Sequence, residues 1–96
     1  METEKINWTN DFKINESLHA FAQEMSAVYG RMCFNNSEHP DTKEWKEKSL
    51  TWADYDRSIK DIVFNTEEKA LEEVNRLAKE CKELLSLEKS LLHKRE

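Results

Sequence analysis

The stretch TEEKALEEVNRLAKECKELLSLEKSLLHK, residues 66–94, decides how this chain folds. It contains neither glycine nor proline, the two residues that most often interrupt a helix. Leu71, Val74, Leu77, Ala78 and Cys81 recur at steps of three and four, which predicts one apolar face of an α-helix. Asn65 is a suitable N-cap and Glu68 stands three residues later, as in a capping box. Glu67 and Glu68 fall in the first turn and Lys94 and Arg95 in the last, the polarity that the helix dipole favours. Glu72 and Arg76 add an i,i+4 pair.

Upstream, Trp45, Trp52, Tyr55, Ile59 and Ile62 share a face with heptad spacing, interrupted by Lys48, and predict a helix over about 42–64. Thr51 and Asp54 resemble a second capping pair, so the segment reads either as two helices meeting near Ser49–Thr51 or, the favoured reading, as a single helix with room for a kink there. Further back, Ile14, Leu18, Phe21, Met25, Val28 and Met32 alternate by four and three, widened by Ala22 and Tyr29, and predict a helix over about 12–34. Gly30 interrupts it at a cost of about 1 kcal/mol, or marks the close approach of a neighbour. Asn35 to Pro40 reads as a loop, because proline disfavours helix at the residue before it; Asp41 or Thr42 can cap the second helix. Residues 1–11 carry no period and read as an N-terminal arm. Ile6 and Trp8 give that arm a means of packing back on the helices.

The expected architecture is therefore all-α: a single domain over 1–96, a three-helix, mainly antiparallel bundle with a long C-terminal helix over about 66–94. Composition agrees. The 96 residues include one glycine and one proline, too few for the turns of a β or mixed fold, and 36% are charged. A net charge of −5 argues against a nucleic-acid partner, which requires a basic footprint; Lys89, His93, Lys94 and Arg95 complement the end of a helix dipole instead. No apolar run reaches the roughly 20 residues of a membrane span, and the start of the chain has no secretory pattern. Cys33 and Cys81 lie apart without a motif partner and read as free thiols. A cytoplasmic location is expected.

Length arithmetic adds a second expectation. A third helix of about 29 residues spans roughly 43 Å, against roughly 34 Å for two helices of about 23. Its last two turns should overhang, carrying Leu84, Leu85, Leu87, Leu91 and Leu92. Three coverings are open: the arm through Ile6 and Trp8, a longer first helix, or another chain. An apolar patch of this kind marks an interaction site, so Leu84, Leu87, Leu91, Leu92 and Trp8 are the candidate contact residues.

Chemistry is thinner. Glu44 and Glu47 form an ExxE, and Glu72, Glu73 and Asn75 place two acids and an amide on the next helix. That pattern resembles the ExxE…ExxD of the all-helical MazG-type nucleotide pyrophosphohydrolases, with Asn75 where the family has aspartate. The resemblance implies a Mg²⁺-dependent hydrolase as the alternative function, since Mg²⁺ prefers oxygen ligands. The simpler reading is a solvated acidic face of Glu44, Glu47, Asp54, Glu72 and Glu73, joined by Asp56, Asp61, Glu80 and Glu83. His19 lacks the Lys and Gly neighbours of phosphotransfer histidines, and Cys33 and His39 lack the paired spacing of zinc ligands. One glycine rules out glycine-rich phosphate loops, and no nucleophile elbow is present. No catalytic, cofactor or metal constellation is expected. The sequence points to an acidic helical interaction module, an inhibitor, adaptor or assembly factor of phage or plasmid type. Its expected partner is a protein, in a homodimer or hetero-complex through the C-terminal helix.

Overall fold

Asp11 starts the first helix by accepting the Ile14 N–H on its carboxylate at 3.1 Å. From that cap, the computed structural model runs through α1 (Phe12–Asn35), α2 (Thr42–Ser58) and α3 (Glu67–Lys94). Single 3-10 turns lie at Trp8–Asn10 and Ile59–Asp61. The structure describes residues 7–94, with side chains through 92. Ile6 and the side chains of His93, Lys94 and Arg95 lie outside the described residues. Among those described, the chain forms a three-helix, all-α bundle without strands.

α1 is the centre of the bundle. It lies against α2 on one side and α3 on the other, while α2 and α3 do not meet backbone to backbone. α2 runs antiparallel to α1: His19 reaches Asp56 at one end, and the Cys33 thiol reaches the Thr42 carbonyl at the other. Between them Ser26 and Ser49 exchange hydrogen bonds, each hydroxyl donating to the other's carbonyl at 2.9 and 2.8 Å. α3 runs parallel to α1, so that Arg31 and Glu88, both near C-terminal ends, form a two-pronged ion pair.

The core joins Ile14, Leu18, Met25, Val28 and Met32 of α1 to Trp45, Ile59 and the α3 residues Ala70, Leu77, Cys81, Leu84 and Leu91. Both cysteines are free, and Cys81 is buried, where burial pushes its thiol pKa up. Gly30 faces Ser49, but a β-carbon there would meet the Ser49 hydroxyl at 3.7 Å, an ordinary contact. Gly30→Ala should therefore raise stability by about 0.5–1 kcal/mol through helix propensity alone. A lower melting temperature would show that α1 and α2 need the space that glycine leaves between them.

α2 is one helix through Ser49–Thr51, in line with the single-helix reading: the Thr51 hydroxyl bonds back to the Glu47 carbonyl instead of capping a new helix. Three expectations require correction. α2 ends at Ser58, not near Phe64. The cause is distant in sequence. Thr9, 1% exposed, donates its hydroxyl to the Ile62 carbonyl at 2.7 Å, and Asn7 accepts the Phe64 N–H at 3.0 Å. Those backbone groups are claimed by the arm and cannot continue the helical ladder. The cap of α3 falls on Thr66, whose hydroxyl accepts the Lys69 N–H, one residue beyond the anticipated Asn65.

The third correction concerns the overhang. α1 and α3 have 24 and 28 residues, a difference of about 6 Å at the helical rise, and they lie side by side. Arg31 and Glu88 stand at the same level, so Leu91 finds cover and is only 8% exposed. The arm does fold back, but at the opposite end, where the Trp8 N–H donates to the Phe64 carbonyl. The element shorter than expected is α2.

Candidate interaction surfaces

α3 carries two apolar lines, one residue apart and so about 100° round the helix from each other. Ala70, Leu77, Leu84 and Leu91 are all buried and form the seam with α1. Leu71, Ala78, Leu85 and Leu92 repeat the same heptad spacing, yet Leu71, Leu85 and Leu92 are 45%, 39% and 52% exposed. The five contact residues anticipated from sequence thus separate. Leu84 and Leu91 belong to the core, and Leu92 belongs to the outer line. Leu87 lines a different groove of about 430 Å³ with Met25, Tyr29, Lys48, Glu80 and Glu83, between α2 and α3. Trp8 packs on the core at the far end of the molecule. Leu71, expected on the inner face with Leu77 and Cys81, stands on the outer line instead, and Ala70 takes the inner position; Leu85 is the outer-line leucine missing from the anticipated contacts, although it shares a heptad line with Leu92.

Beside the outer line runs a shallow apolar groove of about 390 Å³ between α1 and α3, lined by Phe21, Ala78, Cys81, Lys82, Leu85, Ser86 and Lys89. A second apolar hollow, of about 340 Å³, opens between α1 and α2 around Gly30, Cys33, Phe34, Lys46, Ser49 and Leu50. Phe34 and Leu50 are 85% and 59% exposed there. Phe34 lies off the α1 stripe, which was the one signal available in sequence.

The acidic residues do not form a single face. Glu44, Glu47, Asp54 and Glu72 are exposed, and Asp54 pairs with Arg57 on its own helix. Glu73 is different: it bridges the gap between α2 and α3, accepting the Tyr55 hydroxyl at 2.7 Å and the Arg76 guanidinium at 2.8 Å. Among the described residues no three His, Cys, Asp or Glu side chains gather as they would round a metal ion. Asp56 is occupied by His19 at 2.6 Å and by Gln23. His39 stacks on Trp45 with ring centroids 4.5 Å apart and accepts the Asp41 N–H on Nδ1, which orders the α1–α2 loop. No helix among the described residues is long and apolar enough to cross a membrane.

Arg76 holds the Glu73 carboxyl below its ordinary value of 4.5, against the opposing effect of partial burial, and the Tyr55 hydroxyl adds to the depression. A carboxyl with a depressed folded-state pKa contributes stability that is present above the unfolded value and lost as pH falls through the folded one. Burial, followed by the hydrogen bond to Glu73, pushes the Tyr55 phenol up, so Tyr55 stays neutral and donating well past pH 10. Tyr55→Phe should cost about 1 kcal/mol at neutral pH, and less once the pH has fallen through the lowered folded-state pKa of Glu73. Urea midpoints measured on both sides of that pH check the difference; an equal loss at both would detach Tyr55 from the Glu73 charge.

No family model, curated protein or solved structure matches this chain. Its function must be argued from these surfaces.

Proposed function

We propose that this chain is a small protein-interaction module, an adaptor, inhibitor or assembly factor of the cytoplasm, which works by docking a protein surface on the outer face of α3. The observation that carries this reading is the second heptad line. A helix needs one apolar line to hold it to its own bundle, and α3 has that line in Ala70, Leu77, Leu84 and Leu91. Leu71, Ala78, Leu85 and Leu92 continue the same spacing along the helix, on a side where the other described elements leave the three leucines exposed. Sustained heptad leucine exposed to water marks a helix that packs against another helix.

The test compares capture by the wild-type chain and by a Leu85→Asp, Leu92→Asp variant from the native host, with bound proteins identified by mass spectrometry. Both side chains are exposed, so the variant should fold with unchanged helicity. Partners lost only from the variant are the expected result. Equal capture by both chains, or neither capture nor self-association by the wild type, would overturn the reading.

A further inference from the structure

The charges around the outer line of α3 are sorted by position. Glu67, Glu68 and Glu72 border its N-terminal half, and Lys79, Lys82 and Lys89 border its C-terminal half. All six are exposed. The remaining acids of the C-terminal half are placed elsewhere: Glu80 and Glu83 line the groove towards α2, and Glu88 is paired with Arg31 across the α1 seam. The exposed face is therefore acidic at one end, basic at the other, and apolar along its middle.

We infer that this face binds a second copy of the chain, α3 against α3 in antiparallel orientation, and this rests on the reading of α3 as a docking helix. An antiparallel match sets the acidic end of one copy on the basic end of the other. A two-fold axis through Ala78 places Ala78 against Ala78, the one small residue in the line, where the helices can approach closely. The same axis sets Leu71 of one copy opposite Leu85 of the second, Glu67 and Glu68 opposite Lys89, and Glu72 and Asn75 near Lys82. The pairing is self-complementary, as a two-fold interface must be. The groove beside Leu85, lined by Phe21, Ala78 and Cys81, receives Leu71 of the second copy. Parallel pairing would stack acid on acid and lysine on lysine, so the charges select the antiparallel form.

The experiment is light scattering of the full chain over a concentration series, with helicity and melting temperature recorded alongside. The wild type should reach twice 11.4 kDa. Leu85→Asp should remain at the monomer mass. Two charge-reversed chains keep the test independent of that apolar substitution: Lys82→Glu with Lys89→Glu, and Glu68→Lys with Glu72→Lys. Each alone should be a monomer, and an equimolar mixture should recover the dimer mass. A wild type that stays monomeric at every concentration overturns the self-pairing; so does a mixture that fails to associate while both variants melt like the wild type. If self-pairing fails but the Leu85→Asp, Leu92→Asp variant still loses a captured protein, the docking face stands with a different occupant. Failure of both takes the docking reading with it.

Discussion

Replacing Leu77 by alanine should cost about 3 kcal/mol, within the range for truncating a fully buried leucine. Leu77 is 0% exposed, sits midway along α3 and belongs to the line that meets α1. A chain of this size has roughly 5–14 kcal/mol of total stability. One side chain therefore carries a large share of what keeps the molecule folded. The arrangement makes the loss hard to absorb. The backbone of α3 packs closely on α1 and not on α2, whose tie to it is made by side chains such as Tyr55 on Glu73. A neighbouring helix cannot slide in to fill the space. Urea unfolding should show a lower midpoint with an unchanged slope; a loss under about 1 kcal/mol would mean that the seam collapses onto the cavity after all.

Asn7→Ala has the second largest expected effect, about 2 kcal/mol. The Asn7 side chain accepts the Thr9 N–H at 3.1 Å and the Phe64 N–H at 3.0 Å, and donates to the Ile62 carbonyl at 3.2 Å. Alanine removes all three bonds together. A hydrogen bond contributes about 1 kcal/mol net, but a backbone group left half-buried without a partner costs more than the mean bond is worth. Water can reach part of this clasp, which keeps the total below a simple sum of three. The local signature is amide exchange: Phe64 should exchange much faster in the variant, with the middle of α1 protected as before. Protection of Phe64 that survives the substitution would show that the Trp8–Phe64 backbone bond holds the arm unaided.

The helices themselves were legible because a stripe at steps of four and three needs only local sequence. Both ends of α1 and the start of α2 fall within a residue of expectation for the same reason. The end of α2 was not legible. Ile59 and Ile62 continue its heptad face, and nothing near them says that Asn7 and Thr9 will take the backbone groups a longer helix would use. The surplus leucine was visible as a surplus, but its division was not. Leu84 and Leu85 look alike in sequence, and which of them is core depends on where α1 lies around α3. The overhang failed because an up-down-up order makes α1 and α3 parallel but does not say at what level they stand, and Arg31 beside Glu88 sets their C-terminal ends nearly even. The hollow at Phe34 and Leu50 joins two helices through side chains that belong to neither apolar stripe, so no periodicity could have assembled it.

The clasp between the arm and the α2–α3 connection also orders events in time. It joins Asn7 to residues 55 and 57 positions away, whereas the α1–α2 hairpin closes through a loop of six residues. Closing the longer loop costs more chain entropy and waits until the helices have already brought its ends together. The hairpin is thus the natural nucleus, and the clasp a late fastening. Interactions formed after the transition state leave the folding rate alone and slow the reverse step. Asn7 therefore acts mainly on how long the folded molecule lasts, and little on how quickly it forms.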